Sequence, residues 1–266
     1  MKDVQNEKDH RGIAINQVGV SDLRYPVVVL DRDHQEQQTI ARLTLSVDLP
    51  HNYKGTHMSR FIEVLNNHRG KMTMWTMPDL LHDLRKRFAA EKAKVVVEFP
   101  YFIEKKAPVS RASALMDYEC VFVGETENGK DDFLLRVVVP VTSLCPCSKE
   151  ISDYGAHNQR GHIKMDVRFT RDNAGSPNMI WIEELVEYAE KSGSAPVYAL
   201  LKRPDERFVT MQAYDNPVFV EDMVRNVAQL LMEDTRVAWF KVEAHNQESI
   251  HNHNAFACIE WRRDQR

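Results

Sequence analysis

The strongest constraint in this chain is a strict alternation of apolar and polar side chains, met twice. Residues 41–49 place Ala41, Leu43, Leu45, Val47 and Leu49 at every second position, with Arg42, Thr44, Ser46 and Asp48 between them. A period of two suits a strand with one buried and one wet face, and no helix can satisfy it. Residues 162–170 repeat the pattern, with Ile163, Met165, Val167 and Phe169 as the inward set.

Helical signals follow each strand, and further strands follow the helices. In the first half the helices are expected at Met58 to Leu65 and from Met77-Pro78 to about Glu91, Pro78 suiting a first helical turn. Strands are then expected at 94–104, 117–125 and 132–141, the last two joined around Asn128-Gly129, a hairpin turn signal. In the second half one helix spans Trp181 to Lys191. Another opens near Asn216-Pro217, capped by Asp215 or Asn216, with Val220, Met223, Val224, Val227 and Leu231 on one face. Strands over 237–245 and 251–261 complete the copy. The plan is two β–helices–β units, residues 1–150 and 151–266, packed as one body. The fold class is α+β with largely antiparallel sheets.

Composition narrows the function. Of the 266 residues, 43% are hydrophobic and 28% charged, and the formal charge is −4. Such a balance excludes intrinsic disorder as the main state. It also argues against a coat for nucleic acid or an anionic membrane. No run approaches the roughly 18 apolar residues of a membrane span. The polar start MKDVQNEKDHRG is not a secretory signal. The four cysteines, Cys120, Cys145, Cys147 and Cys258, make no disulfide framework, so a reduced, cytoplasmic protein is expected.

Chemistry-bearing side chains gather in two places. Cys145-Pro-Cys147 ends a strand and precedes His157. A thiolate and an imidazole are soft donors of the kind that hold zinc or a similar ion, although two isolated thiols are more often inert. The second place holds Glu243, His245, His251 and His253, and on a strand His251 and His253 would share a face. Glu206 and Glu221 read, by themselves, as solvated acids. Residues and spacing alone stop at a metal-assisted α+β enzyme.

Four stretches resemble the GTP cyclohydrolase type IB family: residues 140–162 (PVTSLCPCSKEISDYGAHNQRGH), 53–61 (YKGTHMSRF), 200–206 (LLKRPDE) and 249–253 (SIHNH). The resemblance covers nearly the whole chain. It implies tandem tunnelling-fold units that assemble side by side into barrels, hence a homo-oligomer, a tetramer, with active sites between subunits. The implied reaction converts GTP and water to formate and 7,8-dihydroneopterin triphosphate, the entry to tetrahydrofolate synthesis. It further implies a divalent ion, zinc, manganese or iron, on Cys145, His157 and Glu206, with Glu221 anchoring guanine. By the same resemblance His251 and His253 carry protons, and Glu243 orients one of them or neighbours metal or substrate. Lys54, His57, Arg60, Lys149 and Arg160 are the cations offered to the triphosphate, Lys149 foremost. Two other readings use the same residues. One is a tunnelling-fold nitrile reductase of the queuosine pathway with Cys145 or Cys147 as nucleophile. The other is a non-catalytic purine- or pterin-binding oligomer.

Overall fold

A computed structural model describes residues 5, 7–33, 35–70 and 72–263. The elements are β1 (Ile15–Leu30), β2 (Glu36–Leu49), α1 (Ser59–Asn67), α2 (Met77–Phe88), β3 (Lys92–Lys106), β4 (Ser113–Glu127) and β5 (Lys130–Leu144). They continue as α3 (Pro146–Ile151), β6 (Asn158–Phe169), α4 (Ile182–Ser192), β7 (Ala195–Pro196), α5 (Arg203–Asp215), α6 (Val220–Glu233), β8 (Val237–Asn246) and β9 (Ala255–Arg262). The strands follow one another in the sheet as β1-β2-β3-β4-β5-β6-β8-β9, with β7 beside β5. The pairings of β1 with β2, β2 with β3, and β6 with β5 and β8 are antiparallel. The α+β class is as expected.

The order β-β-α-α-β-β recurs, with its break at the two-residue turn Asn128-Gly129. Both turn residues have positive φ, 52° and 76°. That is the backbone of the tight hairpin turn matching strand twist, which Asn-Gly favours. The chain divides into two compact units, residues 1–100 with 121–134, and residues 101–120 with 135–266. This division differs from a cut at residue 150, because β3, β4 and β5 each run through both units.

In the first unit the alternation holds: Leu43 and Leu45 are fully buried, and Val47 nearly so. They face the same core as Phe61, Leu65, Leu80, Leu81 and Leu84 of the two helices. Helix α2 stops at Phe88, short of the expected Glu91, because Ala89 turns left-handed at φ 51°. Three basic residues, Arg85, Lys86 and Arg87, sit in its last turn, where they complement the helix dipole.

In the second unit Ile163, Met165 and Val167 are fully buried against Leu185, Met223, Val227 and Leu231. Phe169 is only half-buried, because the register with β8 slips between Arg168 and Phe169. Helix α5 was not expected from the sequence. Its first turn holds a buried Asp205 whose carboxylate accepts from Val109 N, Ser110 N, Ser110 Oγ and Lys202 N at 2.6–2.9 Å. Burial pushes that carboxyl up, but the donated bonds win and hold it below the usual carboxylate range. Asn216, expected to cap the following helix, instead ends α5 and donates to Gly193 O and Ser194 O. Helix α6 is capped from within, by Asp222 accepting Phe219 N at 3.3 Å.

Candidate active site

The second unit brings Cys145, His157, His251 and His253 into one neighbourhood. Strands β5 and β6 pair down to Leu144 opposite Asn158. Cys145 and His157 are therefore the next residues beyond the ladder, and Cys145 N donates to His157 O at 3.1 Å. The eleven residues between them form α3 and an exposed loop. Cys145 caps α3, its Sγ accepting Ser148 N at 3.4 Å, while Ser148 Oγ accepts His157 N at 3.2 Å. Cys145 is half-buried, whereas Cys147 is exposed inside the helix.

The connection between β8 and β9 supplies the rest. His251 and His253 lie in bends rather than on a strand, since β9 starts only at Ala255. Their rings nevertheless stack, with centroids 5.1 Å apart, and the His251 ring stands edge-on to His157 at 6.3 Å. Glu248 from the same loop brings Oε2 to 3.9 Å from His157 Nδ1. Gln159 Oε1 lies 2.9 Å from that same nitrogen. Sequence reasoning passed over both Gln159 and Glu248. The available signal for Gln159 was its place two residues from His157, which puts both on one strand face.

The start of α6 is fastened to this neighbourhood. Val218 N donates to Leu144 O at 3.1 Å, and Ser143 Oγ donates to Val218 O at 3.1 Å. Glu221 thus stands three residues from a segment bonded to the residue before Cys145, exposed on the first turn of α6.

Other expected site residues are placed differently. Glu206 is exposed in the first turn of α5, the turn that Asp205 anchors to Val109 and Ser110. Among the described residues no three His, Cys, Asp or Glu side chains form a metal-holding group, so the set Cys145–His157–Glu206 is not assembled here. Glu243 is engaged by two lysines in this structure. Its oxygens take Lys164 Nζ and Lys241 Nζ at 2.7 and 2.6 Å. The Lys164 and Lys241 bonds hold its carboxyl down to about 2. His245 faces elsewhere, stacked on Phe256 at 5.8 Å and opposite His162 across the strands. Lys149 Nζ donates to Tyr214 O at 2.6 Å and sits 4.2 Å over the Tyr214 ring, closing the end of α5. Arg160 is exposed on β6. In the first unit Lys54 pairs with Glu7 at 2.8 Å, and His57 and Arg60 are half-buried at the entry to α1.

Two residues with donors suited to a divalent ion are therefore joined through their backbones. One carries a half-buried thiol, the other an imidazole whose Nδ1 is engaged, leaving Nε2 as the ring nitrogen for a ligand.

Comparisons with known proteins give the fold and the family. Solved structures with a similar fold include uricase from Arthrobacter globiformis, at TM-score 0.54 and 11% identity, covering 94% of each chain. Urate oxidase from Bacillus sp. TB-90 aligns at TM-score 0.52 and 10% identity, over 94% of this chain and all of that one. At such identity the likeness concerns the fold alone. Closer relatives are the GTP cyclohydrolases FolE2 of Syntrophotalea carbinolica, 54% identical over 98% of this chain and 95% of that protein, and of Geobacter sulfurreducens, 54% identical over 98% of each. That of Nitrosococcus oceani is 51% identical over 98% of this chain and 95% of its own. The family described as type I GTP cyclohydrolase folE2 matches residues 1–257, and the chain belongs to that family.

Proposed function

We propose that this chain hydrolyses GTP to formate and 7,8-dihydroneopterin triphosphate, the first step of tetrahydrofolate biosynthesis. The observation that carries this reading is the convergence of Cys145 and His157, just beyond the β5–β6 ladder, with His251 and His253 of the β8–β9 loop, within a member of a GTP cyclohydrolase family.

Cys145 and His157 would hold a divalent ion, zinc, manganese or iron, with Glu206 as the third protein ligand. When bound, such an ion supplies a Lewis acid that lowers the pKa of water. Glu221 would bind guanine. A carboxylate accepts two parallel hydrogen bonds, and guanine presents N1–H and its exocyclic amine side by side. His251 and His253 hold and move protons at the opening imidazole ring of the substrate, work suited to imidazoles. The stacked pair next to His157 places two such groups together. Lys54, Arg60 and Arg160 are the cations proposed for the triphosphate; Lys149, committed to Tyr214, is the weakest of the set.

The homotetramer belongs to the same proposal. The sheet order ends on β1 and β9, and open strand edges invite pairing with further copies into a barrel. Sedimentation of the full chain tests it. The four free thiols support a reducing, cytoplasmic setting. No helix among the described residues is long and apolar enough to cross a membrane.

The experiment is GTP turnover by metal-stripped protein with Mn²⁺ or Zn²⁺ restored, following formate and the fluorescence of oxidised neopterin. Metal-dependent release of both is expected. Turnover that persists in Cys145→Ala but is lost in Cys147→Ala would overturn the choice of thiol. Absence of both products with every metal would overturn the activity.

A further inference from the structure

Behind His157 runs a chain of buried polar groups whose polarity can be read from one end. Val218 O is a backbone carbonyl and can only accept. Ser143 Oγ lies 3.1 Å from it, so the single hydroxyl proton is committed there. Ser143 Oγ must then act as acceptor toward its other two neighbours, Asn246 Nδ2 at 3.0 Å and Gln159 Nε2 at 3.4 Å. Glu248 Oε1, 3.5 Å from the same Gln159 nitrogen, imposes the same demand, since a carboxylate accepts. Two acceptors on one side fix the Gln159 amide with its NH₂ toward Ser143 and Glu248. Its carbonyl oxygen therefore faces His157 Nδ1, at 2.9 Å, and needs a proton there.

We propose that Gln159 is a positioning residue that holds the neutral His157 ring in its Nδ1–H tautomer, and that Ser143 in turn fixes the orientation of Gln159. The lone pair is thereby left on Nε2. Ser143, Asn246 and Gln159 are 1%, 2% and 8% exposed, so water does not compete for these bonds. The arrangement has a purpose on the reading, made above, that His157 donates Nε2 to a divalent ion; the inference rests on that reading. Ligating histidines are held in this way when their second nitrogen is hydrogen-bonded, and loss of such a partner costs about 10–100-fold in metal affinity. Here the partner is an amide rather than a carboxylate. An amide cannot take up the Nδ1 proton, so it fixes the tautomer without adding a charge.

The test uses the full chain, metal-free and labelled with ¹⁵N-histidine, in long-range proton–nitrogen correlation spectra above the imidazole titration range. His157 is assigned by its loss in His157→Gln. The wild type should show a protonated Nδ1 and an unprotonated Nε2. Gln159→Met keeps the side-chain length but offers no carbonyl, and should move His157 toward the Nε2–H form and weaken Zn²⁺ binding about 10–100-fold. Ser143→Ala, a smaller change that spares the fold should Gln159→Met not fold, releases the amide and should give a smaller loss in the same direction. A wild-type ring protonated at Nε2, or a tautomer unmoved in both variants, overturns the proposal. A different pattern would count against the metal reading instead: Zn²⁺ affinity unchanged in Cys145→Ala and His157→Gln, while Gln159→Met still shifts the tautomer. The tautomer assignment would then stand without its metal role.

Discussion

Glu190→Gln should destabilise the second unit by about 3 kcal/mol, through a charge pair that contributes no group to the candidate site. Lys105 on β3 and Glu190 on α4 form an ion pair with side chains only 13% and 17% exposed. At an effective dielectric near 20, two charges in contact attract by roughly 5 kcal/mol. Glutamine keeps the shape and a neutral acceptor, and Lys105 retains Val197 O at 2.6 Å and the Tyr198 ring at 4.4 Å. Tyr118 Oη, which donates to the same Glu190 oxygen at 3.1 Å, keeps a partner too. These residual contacts recover part of the loss, which gives the estimate of about 3 kcal/mol. For a chain of this size that is a fall in Tm of about 6–12 °C. The pH dependence is a second reading of the same physics. Burial lowers the Lys105 ammonium below its ordinary 10.5, and Glu190 opposes that shift. A folded value below the unfolded one means that the unfolded chain binds more protons, so stability rises with pH in that window. Without Glu190 the lowering is larger, so the deficit of the variant should shrink as pH rises toward the ordinary lysine value of 10.5 and Lys105 sheds its proton. Lys105→Met with Glu190→Gln should recover most of the loss, because no buried charge then remains. Thermal and urea melts measure all three. A single-variant deficit under about 1 kcal/mol, or one independent of pH, would refute the argument.

Two further outcomes follow from the site. Glu243→Gln should leave GTP turnover within about twofold and lower stability above pH 4.5; the gap should close as pH falls from 4.5 toward 2, where the native carboxylate also takes its proton. Acid unfolding curves of the two proteins would show it. Glu221→Gln should cut kcat/KM for GTP by about 10²-fold while metal content holds, since the donor pair on guanine loses a charged acceptor. Unchanged kinetics would move the guanine anchor elsewhere.

What the sequence discloses depends on whether a residue answers to a local period. Leu43, Leu45, Ile163 and Met165 do, and they are buried as the alternation requires. Strand β1 does not: its register breaks near Ile15 and again before Leu23, and Asp22 has a positive φ of 59°, so no clean alternation survives. Helix α5 escapes for a related reason. It buries only Asp205 and Ala213, while Phe208, Met211 and Tyr214 stay exposed, so it has no apolar stripe turned toward the core. In the site, thiol and imidazole are conspicuous as residue types. Gln159, Glu248 and Ser143 are ordinary polar residues whose meaning comes only from their neighbours.

The spacing between Cys145 and His157 has its origin in strand register. Its length is not that of an arc wrapped around an ion. The two residues meet because the β5–β6 ladder sets Leu144 against Asn158, and whatever lies between them is the loop of a hairpin. Residues 152–155 of that loop are all exposed. A glycine inserted after Asp153 should therefore lengthen the loop at small cost, because closure entropy grows slowly with length. Zn²⁺ affinity should stay within a few fold of wild type. One glycine inserted after Gln159 is the contrasting case. It shifts the register by one, and a one-residue slip sends every following side chain to the opposite face. His157 and Gln159 would then lose the alignment with Ser143 and Asn246, and both affinity and stability should fall. Equal losses from the two insertions, measured by Zn²⁺ titration and thermal melts, would mean that the loop itself shapes the site and that the register does not.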